Sequence, residues 1–167
     1  VVGGALPVPE RSQLRWRPVP SGLWPIACPG VDAVPVADLD DAATGDLVNA
    51  AAVRGLVMPV LAVFGARYRL STKVLRGNVA SALAGAAGMI ANDRPAHADR
   101  AGGIVERVLA LTPLDGSGRL VRPDPARSRR FLVRNNCCLY YRIPGGGLCG
   151  DCVLLTEADR RRAWQSS

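Results

Sequence analysis

The sequence predicts a mainly α-helical single domain with a small Gly-rich cysteine lobe at its C-terminal end and a few short strands. Three observations carry this prediction. Aromatic residues make up only 5% of a chain that is 49% hydrophobic, so its core must be built from Ala, Val and Leu, which suits closely packed helices. Apolar residues recur at helical spacing through the middle of the chain. Four of the five cysteines fall between positions 137 and 152, around three consecutive glycines. At 167 residues the chain is long enough to bury a core without disulfide staples.

The elements follow in order. Residues 1–36 hold seven prolines, from Pro7 to Pro35, and read as a Pro-rich arm or cover with short extended pieces such as Leu14-Arg15-Trp16. Trp16 and Trp24 are its expected anchors. Residues 37–130 form the helical body. Asp46 is the expected cap of a long helix that reaches Tyr68, with Pro59 as a point of kinking. Its apolar stretch, Leu47 to Phe64, reads as a buried helix, because Arg54 and Pro59 interrupt it and a bilayer span needs about 20 apolar residues. Ser71 or Thr72 caps a second helix from Lys73 to about Ala91, with an apolar row of Leu75, Val79, Leu83 and Ala86 or Ala87, closed by Met89 and Ile90. Two rows of small residues, Gly77/Ser81/Gly85 and Ala80/Ala84/Gly88, imply that something packs very close to this backbone. Each interior glycine otherwise costs a helix about 1 kcal/mol.

Asp99 caps a third helix to Leu111 that buries Ile104, Val105, Val108 and Leu109. "PLDGSGRL" (113–120) is a turn, and "VRPDPARSRR" (121–130) is a basic connector. "RFLVRNN" (130–136) is a short strand leading into the cysteine segment, residues 131–155. Thr156-Glu157-Ala158-Asp159 has the capping-box pattern and opens a C-terminal helix over 156–167, where Trp164 reads as a packing residue.

The formal net charge is +7, nearly all of it from arginine. Arg129-Arg130 and Arg160-Arg161-Arg162 read as solvated surface, and no nucleic-acid-binding fingerprint accompanies them. No nucleic-acid partner and no stable membrane insertion are expected. With no signal peptide visible the expected compartment is the cytoplasm, where disulfides are disfavoured.

The cysteines stand as Cys137-Cys138, ten residues, Cys149, two residues, Cys152. Two thiolates in a C-x-x-C knuckle can chelate one metal ion. That spacing alone is shared by zinc sites, redox dithiols and iron–sulfur sites. An adjacent Cys-Cys pair is a poor knuckle for a single ion, whereas a two-iron cluster needs two thiolates on each iron. Cys149 and Cys152 on one iron and Cys137 and Cys138 on the other is one such division; the reverse sharing is another. Gly145-Gly146-Gly147 can turn free amides toward the sulfurs, or simply form a turn after Pro144. From spacing alone iron–sulfur, zinc and redox thiols all remain open.

"CCLYYRIPGGGLCGDC" (137–152) resembles the cluster motif of FhuF-type ferric-siderophore reductases, and the likeness extends from about Arg134 to Leu155. "LRGNVASALAGAAGMI" (75–90) is similar to that family's Gly-Asn-Val-Ala-Ser-Ala helix, and "LDGSG" before the cluster segment also fits. Asn135-Asn136 stand where the family often has a basic and hydroxylic run. The resemblance implies a [2Fe–2S] cluster held by Cys137, Cys138, Cys149 and Cys152. It also implies a ferric siderophore as substrate and a separate electron donor.

Other residues carry blander readings. Cys28 is expected to be a buried apolar thiol outside the motif. His97, the only histidine, is expected at the surface; a Rieske centre needs two. Tyr140 and Tyr141 either shield the cluster or belong to the core, and Arg142 is a solvated side chain or an anion contact. The function expected is one-electron reduction of siderophore-bound iron(III), with no catalytic residue beyond the cluster. The alternatives are a ferredoxin-like carrier without its own substrate and a zinc-stabilised binding module.

Overall fold

The computed structural model describes residues 1–21 and 25–165. Helices dominate it, with three two-stranded antiparallel ribbons beside them, and the cysteines gather near its C-terminal end. In the arm, β1 (Ala5–Pro7) pairs with β4 (Ala33–Pro35), and β2 (Arg15–Trp16) with β3 (Ile26–Ala27). The arm buries Leu6 and Val36 in the core and packs Val1, Val2 and Val8 against it half-buried. Trp16 is not the expected anchor, since it is 60% exposed. Trp24 lies outside the described residues.

The body begins at α1 (Asp41–Val48), earlier than the sequence suggests. Its cap is Asp40, whose carboxylate accepts from the Ala43 N–H at 2.7 Å; Asp46 instead pairs with Arg107 at 2.9 Å. Gly45 concealed this start, because an interior glycine weakens a helix. Here it is needed: a Cβ at position 45 would meet the Arg107 side chain at 2.6 Å. Arg100 holds the end of the arm through the carbonyls of Val36 at 2.8 Å and Leu39 at 3.0 Å, and reaches this helix at Asp41 at 3.4 Å.

α1 runs on as a π-helical stretch, Asn49–Val57, and then as α2 (Met58–Tyr68). The wider π turns stand directly before Pro59, which cannot donate to the preceding turn and crowds the carbonyl there. The apolar stretch 47–64 is not a buried helix as expected. Val48 and Val53 are buried, but no residue of α2 is, and Val60, Val63, Phe64 and Tyr68 are exposed. The cause is coverage: α2 touches little beyond the π stretch and the start of α3, where Gly65 meets Leu75. Asp41–Tyr68 and Thr72–Asp93 are both long and apolar enough to cross a membrane by length and composition, and 17% and 33% of their apolar windows are buried.

α3 (Thr72–Asp93) starts where Ser71 caps it, its hydroxyl accepting from the Lys73 N–H at 3.3 Å. The face it buries is the row of small residues, Gly77, Ala80, Ala84, Ala87 and Gly88, together with Leu75. Val79, Leu83 and Ile90 are only half-buried, Ala86 is exposed and Met89 is 67% exposed. Small side chains let α4 (Ala98–Leu109) lie close, and α4 packs Ala101, Ile104, Val105, Val108 and Leu109 into the same core. A 3₁₀ turn, Pro95–His97, precedes α4, and half-exposed His97 is its N-cap in place of Asp99.

After a turn, β5 (Gly118–Val121) pairs antiparallel with β6 (Phe131–Arg134), from Gly118↔Arg134 to Val121↔Phe131. α5 (Glu157–Gln165) is capped by Thr156, whose hydroxyl accepts from the Asp159 N–H at 3.1 Å. It is docked by Trp164, buried and stacked on Phe131 with ring centroids 5.2 Å apart.

Candidate iron–sulfur site

β6 delivers the chain from the core into the cysteine lobe, and α3 supplies the wall on which the lobe rests. Four contacts fix it there. Arg134 Nη2 donates to Asn78 Oδ1 at 3.0 Å. Asn136 Nδ2 donates to the Lys73 carbonyl at 2.8 Å. The Asn136 amide also lies where a side chain on Gly77 would collide with it. The Ser81 hydroxyl hydrogen-bonds the carboxylate of Asp151, inside the C-x-x-C knuckle. Residues 73, 77 and 81 are one helical turn apart, so a single face of α3 receives the lobe. The sequence singled out this helix and the cysteines separately; the structure brings the two together.

All five cysteines are free thiols. Cys137, Cys138 and Cys149 are half-buried and Cys152 is buried. Cys138 and Cys149 meet across the lobe with Sγ atoms 3.3 Å apart. Cys149 and Cys152 are joined by a turn in which the Cys152 N–H reaches the Cys149 carbonyl at 3.0 Å. Among the described residues no three His, Cys, Asp or Glu side chains converge as a ready site for one ion. Cys28 lies outside the group and is half-buried, not buried as expected, because its ribbon is poorly covered and Ile26 is 70% exposed.

Backbone amides already face the sulfurs. The Leu139 N–H donates to Cys137 Sγ at 3.3 Å and the Tyr140 N–H to Cys138 Sγ at 3.4 Å. The Asp151 N–H serves Cys149. Leu139 makes the first two possible by adopting a left-handed backbone with φ +67, a conformation unusual for a non-glycine residue. Of the two roles considered for the glycines, Gly145 and Gly146 take the turn after Pro144. Gly145 turns the chain at φ +75, and the Gly146 N–H closes that turn on the Ile143 carbonyl at 2.7 Å.

The thiols are electrostatically unequal. Burial opposes the Cys138 thiolate, but the Tyr140 N–H, the Cys149 thiol and the charge of Arg134 together outweigh it and lower its pKa. Burial, followed by the hydrogen bond and repulsion from Cys138, pushes Cys149 up to about 12. The two shifts belong to the pair, Cys138 moving down and Cys149 up as they titrate together.

Tyr140 and Tyr141 sit in a 3₁₀ turn, 47% and 44% exposed, so neither is a core residue. Arg142 is exposed and donates to the Tyr141 hydroxyl at 3.1 Å, which raises its pKa. Ile143, Leu148 and Leu154 extend this exposed rim.

The donor set suits a two-iron cluster. Four soft thiols are present, and Cys138 and Cys149 already bring their sulfurs to 3.3 Å. Sulfur-facing amides are also the feature that stabilises a negatively charged cluster. These features fit an iron–sulfur site. The family model for the FhuF 2Fe-2S C-terminal domain matches residues 134–154, and this match indicates a [2Fe–2S] cofactor for the lobe. The matched segment begins at Arg134 and encloses all four clustered cysteines. No curated protein and no solved structure matches the chain.

Sequence reasoning missed Arg134, Asn78, Asn136 and the Ser81–Asp151 contact as parts of the site. Their signal was present only as the co-occurrence of the Gly-Asn-Val-Ala-Ser-Ala helix with the cysteine motif.

Proposed function

We propose that this protein reduces siderophore-bound iron(III) to iron(II), using a [2Fe–2S] cluster held by Cys137, Cys138, Cys149 and Cys152. The observation that carries the proposal is the FhuF-type match over a segment where four free thiols gather beside an exposed rim. When bound, the cluster supplies a one-electron store that an external donor refills. The chain's own residues do the rest. The Leu139, Tyr140 and Asp151 amides donate to the sulfurs of Cys137, Cys138 and Cys149, and α3 fixes the lobe. Tyr140, Tyr141 and Ile143 offer a surface on which a ferric chelate can rest near the thiols. One electron passes to the chelated iron(III). Iron(II) is the softer ion and suits oxygen chelators less well, so release follows. We place this chemistry in the cytoplasm, where a reducing environment keeps the thiols free.

The test is anaerobic purification with iron, sulfide and zinc counts and an absorption spectrum. Single-turnover oxidation of the dithionite-reduced protein by ferric siderophores follows. Equal iron and sulfide with rapid oxidation by the ferric chelate is the expected result. Zinc without sulfide would identify a zinc module. A reduced cluster indifferent to every ferric chelate would identify an electron carrier.

A further inference from the structure

Arg134 is 3% exposed and is the one charged side chain that is buried among the described residues. Its environment does not pay for that charge in the usual way. Its Nη2 reaches only the neutral Asn78 amide oxygen at 3.0 Å, and its Nε has no hydrogen-bond partner. None of the ion pairs among the described residues includes it, although Arg100, Arg107, Arg122, Arg127, Arg130, Arg161 and Arg162 all have carboxylate partners. A buried, uncompensated guanidinium is costly, and proteins keep buried charges paired. The cysteine on which the charge of Arg134 acts is Cys138. Arg134 stands at the end of β6, three residues before Cys137, and Asn78 holds it from the flank of α3.

We propose that Arg134 is the built-in counter-charge of the cysteine lobe, a positioning residue whose buried guanidinium raises the reduction potential of the [2Fe–2S] cluster. The inference rests on the cluster reading above. Four thiolates bound to the two irons carry the negative charge that Arg134 otherwise lacks. An added electron increases that negative charge, so a fixed positive charge at low dielectric favours the reduced state over the oxidised one. Asn78 orients the guanidinium without neutralising it, which a carboxylate at the same position would do.

The experiment measures the midpoint potential by anaerobic spectroelectrochemistry in the unaltered protein and in Arg134→Gln, Arg134→Lys and Asn78→Asp, alongside iron and sulfide counts. In Arg134→Gln the one-electron equilibrium is expected to move at least tenfold toward the oxidised form, a potential lower by about 59 mV. Arg134→Lys restores most of the shift. Asn78→Asp leaves the arginine in place but pairs it, and moves the potential the same way by less, because position 78 is exposed. A cluster-loaded Arg134→Gln with unchanged potential overturns the inference. If that variant does not fold, an unchanged potential in Asn78→Asp overturns it. Absence of iron and sulfide from the unaltered protein ends the cluster reading itself, whereas full clusters with equal potentials end only the role of Arg134.

Discussion

Asn136 and Gly77 lie against each other with no room between them: the Asn136 amide occupies the volume that any side chain on Gly77 would need, and it donates at 2.8 Å to the Lys73 carbonyl one turn earlier. This contact couples the chain just before the cysteines to the backbone of α3. Gly77→Ala is therefore expected to destabilise the protein by about 1–3 kcal/mol, the usual range for overpacking, despite the better helix propensity of alanine. Thermal unfolding and iron content of the purified variant check this. A rise in melting temperature with full iron would refute it.

The ligand assignment is checked by single Cys→Ser variants. Cys137, Cys138, Cys149 and Cys152 should each be required for a stable cluster, because no histidine or further cysteine stands in the lobe to replace them. Cys28→Ser should retain the spectrum and the iron count. A full cluster in Cys138→Ser, or none in Cys28→Ser, would refute the assignment.

Leu139 holds a left-handed backbone so that two successive amides can face Cys137 and Cys138. Such a conformation costs about 1–3 kcal/mol in a non-glycine residue. Leu139→Gly should therefore keep the cluster and gain or hold stability. Leu139→Val, with a β-branched side chain, should lose both stability and cluster occupancy. Paired melting curves and absorbance at the cluster bands decide it.

Substrate charge provides another check. The arginine excess gives the chain a formal +7, and Arg142 is exposed on the rim beside the cysteines. Neutral or anionic ferric chelates should oxidise the reduced protein faster than strongly cationic ones. The rate for anions should fall with salt as the Debye length shrinks from about 10 Å at 0.1 M to about 3 Å at 1 M. Stopped-flow traces with chelates of similar potential measure this. A preference for the cationic chelate at low salt would mean that the negative thiolate site governs the encounter.

Local signals were legible where one residue type has one job. Ser71 and Thr156 announced their helices, and the apolar rhythm of 104–109 announced the face that α4 buries. The cysteine spacing announced the lobe. Signals that depend on coverage were not legible. Leu47 to Phe64 reads as core by composition, but burial requires a partner element, and α2 has almost none. Met89 reads as the end of an apolar row, yet α3 presents its alanines and glycines to α4 and turns Met89 outward. Trp16 was an expected anchor by size, yet a two-residue ribbon leaves it outside. The site divides the same way. Thiols show themselves in a sequence, whereas Asn78, Ser81 and Arg134 become meaningful only when two segments more than fifty residues apart are brought together.

That meeting of α3 with the lobe sets the smallest transplantable unit. A peptide covering 131–155 contains every clustered thiol but none of the wall that holds Asn136, Arg134 and Asp151 in place. Grafted onto another scaffold, it would bring the ligands without their mould. A working graft needs the first two turns and more of α3, with a bare backbone at 77, an amide at 78 and a hydroxyl at 81. The portable module is therefore a discontinuous pair of segments, and grafts or chimaeras that divide α3 from the cysteines would separate the two halves of one part.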